Sequence, residues 1–224
     1  MRRKKKKKDR RDVFLSLISV DAKKVLDVGC GEGNLGFKLR EKGIEVVGIE
    51  KDEKSYLLAK EKLNRVFLTD VEKFQLPFSK GYFDCIIYAD VLEHFIYPLA
   101  VLRKHRDFLN NSGYIIASIP NIRYYKIIIR LFLGGSWDYM DKGILDKSHL
   151  RFFTLINIKE LFADAGYEIV EIKRNFVASR GFKVLNFFLF NGLKDFLTYQ
   201  YYIKARKHGA KYISSTRKRK IDQF

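Results

Sequence analysis

Apolar and polar segments alternate along the first half of the chain in blocks that predict strands and helices in turn. Short runs rich in β-branched and other apolar residues predict strands at 24–28, 44–49, 66–68, 83–88 and 114–119. The segments between them predict helices at 35–42, 53–63 and 98–109. Strands and helices that alternate in this way form a parallel sheet covered on both faces, so we predict an α/β protein.

The second half of the chain is less regular. An apolar stretch with basic flanks at 122–133 is followed by a helix at 157–165 and by strands at 167–173 and 200–205. Between the last two strands, the segment 181–202 is rich in aromatic residues. Its apolar positions could share one helix face, which we expect to pack over the sheet rather than lie on a membrane. These positions are Phe188, Phe190, Leu193, Phe196 and Leu197.

Most of the net charge of +18 lies at the two ends of the 224-residue chain. Residues 1–12 carry nine Lys or Arg against two Asp, and residues 201–224 carry eight against one. Because runs of like charge repel themselves, we predict a disordered tail at 1–12, one folded domain at 13–207 and a second basic tail at 208–224. The tails could contact anionic lipid or, as the less favoured alternative, RNA phosphates, or serve only solubility.

The cysteines and the hydropathy of the chain indicate the cellular compartment of the protein and bear on metal and membrane binding. Cys30 and Cys85 lie far apart in apolar stretches, which gives neither a disulfide framework nor a metal-binding Cys pair. We therefore expect a cytoplasmic protein with no metal site. No uncharged apolar run reaches about 18 residues, so we expect no membrane-spanning helix and at most peripheral contact with the inner membrane face.

Residues with functional chemistry gather where the predicted strands end. The glycine-rich segment VLDVGCGEGNLG, residues 25–36, follows the first strand, and Glu50, Asp70 and Asp90 follow later strands. In parallel sheets, ligands bind beyond the carboxyl ends of the strands. The coincidence predicts a ligand site at that edge of the sheet.

The same residues narrow the chemical class of the expected ligand. The spacing Gly-x-Gly-x-x-Gly at 31–36 matches a dinucleotide fingerprint, so NAD binding is an alternative. Asp27 argues against it, because an acid just before the first glycine would repel a pyrophosphate but suits a cationic amino acid. The Glu50 carboxylate can accept hydrogen bonds from both hydroxyls of a ribose, and the Asp70 carboxylate can accept one from the amino group of an adenine. A ligand that combines an amino acid, a ribose and an adenine fits this order.

Several segments resemble the class I S-adenosylmethionine-dependent methyltransferases. VLDVGCGEG (25–33), GIE (48–50) and TDVEKFQLPFSKGYFDCIIYADVLEH (69–94) are similar to motifs of that family. Farther on, IPNIRYY, GGSWDYMDKGILDKSHLRFFT and QYYIKARK resemble a subgroup associated with sugar, lipid and cell-surface biosynthesis. The resemblance implies a single Rossmann-like domain with a mostly parallel seven-stranded sheet, an antiparallel last strand and helices on both faces. It also implies a cofactor half at 13–120, a substrate half at 121–207 and S-adenosyl-L-methionine as cofactor.

The resemblance also implies roles for individual residues. Asp27 would lie near the amino group of the cofactor, Glu50 would hold the ribose, and Asp90 would lie near the methionine part. Asp70 and Val71 would contact the adenine. The remaining cofactor-lining residues would be Gly29, Cys30, Gly31 and Gly33.

An alcohol or amine acceptor must lose a proton, which requires a base. His94 directly follows the fourth strand, and His149 lies in a polar patch of an otherwise apolar region. We take His149 and His94 as the candidate catalytic residues and Asp146 as a weaker one. His105 lies between basic residues and is expected to be solvated. Residues that could shape the acceptor pocket are Trp137, Tyr139 and Arg151, with Arg123, Tyr124 and Tyr125.

The leading hypothesis is methyl transfer to a small, lipid-linked or glycan-linked acceptor, at oxygen. An RNA methyltransferase is an alternative suggested by the basic ends. It is weakened because PNIR at 120–123 lacks an NPPY-like signature and the body of the chain is not basic. A cofactor-binding module without turnover is another alternative, against which the presence of both histidines argues.

Overall fold

The computed structural model describes residues 10–177 and 192–208, whose strands form one seven-stranded sheet. The strands are β1 (Lys24–Val28), β2 (Glu45–Glu50), β3 (Arg65–Leu68), β4 (Phe83–Ala89), β5 (Leu109–Pro120), β6 (Tyr167–Phe176) and β7 (Thr198–Lys207). Their order is β3-β2-β1-β4-β5-β7-β6. Strand β7 runs antiparallel to β5 and β6, and the other neighbours pair in parallel. The predicted mostly parallel sheet with a reversed last strand is confirmed.

Helices connect the strands, and several of them pack on the sheet. They are α1 (Arg10–Leu15), α2 (Asn34–Arg40), α3 (Glu53–Lys62), α4 (Pro98–Arg106), α5 (Tyr125–Gly134), α6 (Leu155–Asp164) and α7 (Lys194–Leu197), with a 3-10 turn η1 (Leu92–His94). Local sequence sets where two of them begin. The Asp52 carboxylate accepts from the Ser55 N–H at 2.8 Å and caps α3, and Thr154 and Asn157 form a capping box at α6.

Both faces of the sheet are buried. Neighbouring residues of β1 point to opposite sides, where Val25 packs in one cluster and Leu26 in the other, both fully buried. The first cluster includes residues of α1, α2 and α3, and the second includes residues of α4 and α6. Burial on both faces is the reason why the central strands are continuously apolar in sequence.

The strand order reverses beside β1, and this reversal creates the crevice of the protein. From β1 the chain continues outward to β2 and β3 and then returns to β4 on the other side of β1. Val28 at the end of β1 is paired with Tyr88 near the end of β4. The loops that begin at Gly29 and Asp90 therefore start side by side, where ligands of such sheets bind.

The junction between α4 and β5 differs from the prediction. Helix α4 ends at Arg106, and Leu109, predicted as helical, begins β5. The predicted turn at 110–113 lies inside β5, where the pairing register with β4 shifts. The Asn110 side-chain oxygen accepts from the Ser112 N–H at 3.0 Å. The side chain thus forms the turn that its sequence indicates without ending the strand.

The N-terminal boundary also differs by three residues. Helix α1 begins at Arg10, so residues 10–12, assigned to the disordered tail, form its first turn. The helix is held because Phe14 packs in a cluster that includes Leu39 and Tyr202, with the Phe14 ring edge-on to the Tyr202 ring at 5.6 Å. The basic residues 1–9 and 209–224 lie outside the described residues.

The aromatic segment 181–202 is described only from residue 192 onward, and Phe188 and Phe190 lie outside the described residues. Of the predicted apolar helix face, Phe196 and Leu197 belong to α7, where Leu197 is buried and the Arg123 guanidinium lies 4.6 Å from the Phe196 ring centre. Within 10–177 and 192–208, every helix is too short or too polar to span a membrane.

The prediction that His105 is solvated is wrong. His105 is fully buried on the inner face of α4, and its Nδ1 is hydrogen-bonded to the Tyr88 hydroxyl at 2.8 Å. Its basic neighbours lie on other sides of the helix, because consecutive helical residues are about 100° apart. Burial, with a small contribution from Lys104, lowers the pKa of His105 to about 3.

This buried histidine predicts an acid-sensitive component of stability. Below its unfolded pKa near 6.5, the unfolded chain binds a proton that the folded chain does not, so stability falls as pH falls. Between pH 7 and pH 5 we expect His105 to cost the wild type about 2 kcal/mol. Urea unfolding of wild type and His105→Gln at both pH values measures this cost. The variant should lose less stability on acidification, and equal losses would contradict the prediction.

Candidate active site

The loop after β1 approaches the crevice with its backbone. Gly29 and Gly31 have φ angles of +66° and +53°, which side chains other than glycine rarely adopt. A Cβ at Gly29 would lie 2.7 Å from Val91 Cγ2, so this loop packs directly on the loop that follows β4. A Cβ at Gly31 would meet nothing within 4 Å. The loop is therefore closely packed at Gly29 and has open space beside Gly31.

Glu50 fixes this loop to the end of β2. One carboxylate oxygen accepts from the Gly31 N–H at 2.8 Å, and the other accepts from the N–H groups of Lys51 and Asp52 at 2.8 and 2.9 Å. Hydrogen bonds to a carboxylate are stronger than neutral ones. A carboxylate has about four acceptor positions and three are used here, so about one is left to accept from a ligand.

Asp27 is a buried acid without a full set of partners. It is 1% exposed, and its Oδ1 has no hydrogen-bond partner among the described residues. Burial, and secondarily the charge of Glu50, raises the pKa of Asp27 to about 7. A cation that pairs with this buried oxygen, which has no hydrogen-bond partner among the described residues, would stabilise the charged carboxylate. The ammonium group of an amino-acid ligand would supply one.

Cys30 fills space under the loop. A Cβ on Gly48 would lie 2.7 Å from the Cys30 sulfur, so the thiol packs against the backbone of β2. Burial, with Asp27 and Glu50 nearby, raises the pKa of this thiol well above its usual range. Cys30 is therefore a neutral packing residue and is unsuited to act as a nucleophile.

The third strand brings Asp70 and Val71 to the same edge. The N–H of Thr69 donates to the Glu50 carbonyl at 2.8 Å, which places the segment beside the ribose-binding candidate. Asp70 is exposed and accepts from the Glu72 N–H at 3.0 Å, whereas Val71 is buried. The Lys104 ammonium donates to the Val71 carbonyl at 2.8 Å and ties this loop to α4.

Asp90 is held by more partners than the sequence indicates. Its φ of +55° is the one positive value at a residue other than glycine among the described residues. Its carboxylate accepts from the Ser118 hydroxyl at 2.5 Å, from the Gln200 amide and from the Arg10 guanidinium at 3.0 Å. Burial nevertheless raises its pKa. Sequence reasoning missed these three partners, because β5, β7 and α1 are distant in the chain.

The two candidate catalytic histidines contact each other close to Asp90. His94 ends η1, His149 comes from the loop before α6, and their ring centres are 4.8 Å apart in an edge-to-face arrangement. His94 Nδ1 is hydrogen-bonded to the Ser148 carbonyl at 3.0 Å, and His149 Nδ1 to the Ile144 carbonyl at 2.9 Å. Burial lowers the pKa of His94. His149 is itself buried.

Glu93 joins this pair, although the sequence analysis did not single it out. Its Oε1 lies 4.0 Å from His149 Nε2, and its carbonyl accepts from the Leu150 and Arg151 N–H groups at 2.9 and 3.0 Å. The backbone of Glu93 thus anchors the loop that carries His149. Its position directly before His94 was the available signal.

The other predicted acceptor-side residues have mostly structural contacts. Asp146 accepts from the Ser148 N–H at 2.8 Å and shapes the turn before His149, and Arg151 donates to the Ile96 carbonyl at 2.6 Å. The Tyr124 hydroxyl donates to the Val177 carbonyl at 2.7 Å. Aromatic rings do lie beside the histidines. The ring-centre distances are 5.4 Å for Trp137–Phe152, 6.4 Å for Tyr139–Phe152 and 6.5 Å for His149–Phe152.

Solved structures share this fold over nearly the whole chain. An S-adenosylmethionine-dependent methyltransferase from Archaeoglobus fulgidus superposes with a TM-score of 0.66 at 19% identity, and the match covers 88% of this chain and 91% of the other. The cyclase SpnF superposes with a TM-score of 0.63 at 18% identity, over 88% of this chain and 80% of the other. These likenesses define a Rossmann-like fold of the methyltransferase class.

The sequence gives the family. Residues 2–172 match a family described as a methyltransferase domain. A ubiquinone biosynthesis O-methyltransferase from Cereibacter sphaeroides is 30% identical over 156 residues, 67% of this chain and 62% of that protein. The chain belongs to the methyltransferase-domain family. This result replaces the NAD-binding alternative. The chain spans less than two thirds of the length of that relative.

The raised pKa of Asp27 predicts opposite effects on stability and on ligand binding. Above pH 7 the folded protein contains a buried charge, so Asp27→Asn should stabilise the ligand-free protein at pH 8 by about 2 to 3 kcal/mol more than at pH 5. The same change removes the partner of a ligand ammonium group. Affinity for S-adenosylhomocysteine at pH 8 should fall at least about tenfold.

Urea unfolding at the two pH values and calorimetric titration at pH 8 measure both effects. Asp84→Asn is the matched control, since Asp84 lies near the start of β4, whereas the crevice lies beyond the end of that strand. Unchanged affinity in Asp27→Asn would remove Asp27 from the cofactor site.

Proposed function

We propose that this methyltransferase methylates a hydroxyl oxygen of a small-molecule acceptor, whose proton is removed with the help of His149 and His94. The main support for this proposal is the edge-to-face contact between these two imidazoles near the end of β4. Val91, three residues before His94, packs on Gly29 of the cofactor-side loop. The acceptor would therefore sit between the glycine loop and the histidine pair.

On the cofactor side we assign the roles that the sequence analysis predicted. Asp27 would pair with the ammonium group, Glu50 would hold the ribose, and Asp90 would lie at the methionine part. Asp70 and Val71 would contact the adenine, and the loop residues Gly29, Cys30, Gly31 and Gly33 would line the cofactor. S-adenosylmethionine supplies a methyl group activated by its sulfonium. The remaining task of the protein is to align the acceptor oxygen with that methyl group and to take up a proton.

Two observations favour oxygen and an aromatic acceptor. The 30% identical relative is named an O-methyltransferase of ubiquinone biosynthesis. In addition, Phe152 lies beside His149 and packs edge-to-face against Trp137, with 85° between the two ring planes, which places two aromatic rings next to the candidate catalytic pair. Aromatic rings in this place suit a planar hydroxylated ring.

A lipid-linked form of the acceptor is favoured over a glycan-linked one by α5. This helix buries none of its side chains, and Phe132 and Leu133 are 84% and 77% exposed. Exposed apolar helices of this kind contact lipid chains or membranes. With the basic ends of the chain, α5 could hold the enzyme on an anionic membrane surface that contains its acceptor. Nothing in the described residues favours RNA over these acceptors.

The function is tested by separating cofactor binding from methyl transfer. Wild type should bind S-adenosylhomocysteine with micromolar affinity, and Glu50→Gln should bind at least about tenfold more weakly because a ribose acceptor is lost. His149→Gln should keep this affinity but transfer methyl about 100-fold more slowly. Calorimetry and a radiolabelled methyl assay provide the two readouts.

The acceptor panel should contain hydroxylated aromatics with and without a prenyl chain, sugars, polyprenyl phosphates and RNA. His208→Ala is the matched control, since this residue directly follows β7 and lies outside the proposed site. Transfer to RNA in preference to every small acceptor would contradict the proposal. Tight cofactor binding without transfer to any acceptor would instead identify a binding module.

The lipid-linked form has its own test. Replacing Phe132 and Leu133 by serine should raise KM for a prenylated acceptor at least about fivefold, because apolar contact is lost. KM for the same ring without a prenyl chain should not change. Leu57→Ser on α3, 55% exposed, is the matched control. Equal effects on the two acceptors would exclude a role of α5 in lipid recognition.

A further inference from the structure

We propose that Glu93, His94 and His149 bind a divalent cation, and that the acceptor hydroxyl completes its coordination. One nitrogen from each imidazole and one carboxylate oxygen all lie within 4.8 Å of one another. The role of this cation in catalysis rests on the proposed function, whereas its binding does not. The sequence analysis expected no metal site, because the two cysteines form no metal-binding pair. It did not bring His149 and η1 together, since they are far apart in the chain.

The hydrogen bonds of the histidines leave suitable ligand atoms. Each Nδ1 faces a backbone carbonyl, that of Ser148 for His94 and that of Ile144 for His149. A carbonyl can only accept, so each Nδ1 carries the hydrogen, and in the neutral ring Nε2 has the free lone pair. Metal-binding histidines are oriented in this way, with the second nitrogen donating to a carbonyl or carboxylate.

The surroundings of the Glu93 carboxylate independently indicate a bound cation. It is 1% exposed, and neither carboxylate oxygen has a hydrogen-bond partner among the described residues. Protonation would not satisfy it, since the nearest imidazole nitrogen, His149 Nε2, is 4.0 Å away and beyond hydrogen-bond distance. An unsatisfied buried carboxylate is costly. A cation between Glu93 and the two rings would satisfy all three groups.

The donor set indicates the kind of cation. Two imidazole nitrogens with one carboxylate suit zinc, manganese, iron(II) or cobalt better than magnesium or calcium, which prefer oxygen ligands. Three protein ligands also leave coordination positions open, as in catalytic rather than structural sites.

A cation at this place would take part in deprotonation of the acceptor. Coordination lowers the pKa of the acceptor hydroxyl, whose proton is released to water. An oxygen lone pair then forms the bond to the methyl carbon, and the electrons of the breaking carbon–sulfur bond return to sulfur. The products are the methyl ether and S-adenosylhomocysteine, so no further reactant is needed.

Cation binding is tested without reference to activity. Protein freed of any affinity tag and treated with a chelator is titrated calorimetrically with Mn²⁺ and Zn²⁺, and its Co²⁺ complex is followed by visible absorption. We expect one site per chain in wild type and at least about tenfold weaker binding in Glu93→Gln and in His149→Gln. His208→Ala should bind as wild type does, and all variants should keep their affinity for S-adenosylhomocysteine.

Activity then separates this proposal from the function on which it rests. A chelator should reduce methyl transfer at least about tenfold without weakening S-adenosylhomocysteine binding, and Mn²⁺ or Zn²⁺ should restore it. Absence of cation binding, or equal binding by Glu93→Gln, would overturn the site. Transfer that is insensitive to the chelator would overturn its catalytic role and leave the histidines as direct bases. Failure to methylate any acceptor would contradict the proposed function, and the titrations would still decide whether the cation site exists.

Discussion

The carboxylate of Glu50 is the contact on which the cofactor side of this structure depends. By accepting from the Gly31 N–H and from two N–H groups after β2, it joins the glycine loop of β1 to the end of the neighbouring strand. The loop can then keep its left-handed glycines and press Gly29 onto Val91. Burial raises the pKa of Asp27, and the negative charge of Glu50 raises it further. One side chain therefore contributes to both the shape and the electrostatics of the crevice.

Two buried acids with unpaired oxygens lie in segments that border that crevice. Asp27 is in β1, directly before the glycine loop, and Glu93 is in η1, beside His149, and each is 1% exposed. In an apolar core, such groups destabilise the ligand-free fold. Their presence is understandable if each is completed by a positive partner that arrives from outside. An ammonium group would serve for Asp27 and a divalent cation for Glu93, so the stability lost before binding becomes affinity and selectivity after it.

The sheet, and the gathering of the acids at one of its edges, could be predicted because they rest on local patterns. Apolar strands alternate with amphipathic helices, and the acids follow strand ends that a parallel sheet brings to one edge. The features that sequence missed depend on contacts between distant segments. The neighbours of His105 are basic, yet the helix turns that ring inward to Tyr88. Arg10, from the basic end of the chain, reaches Asp90. Glu93 gains importance only because a remote loop places His149 beside it.

The acceptor side also explains why one fold can support different chemistry. The structural neighbours include a methyltransferase from Archaeoglobus fulgidus and a cyclase, SpnF, which differ in their named chemistry but share this fold. The scaffold positions the cofactor, and the groups that face the second reactant decide which bond forms. In this chain we propose Glu93, His94 and His149 as those groups. Backbone carbonyls hold both imidazoles, and the carbonyl of Glu93 anchors the loop before α6. Because these hydrogen bonds fix the two rings, the proposed site has little freedom to adapt to a different reactant.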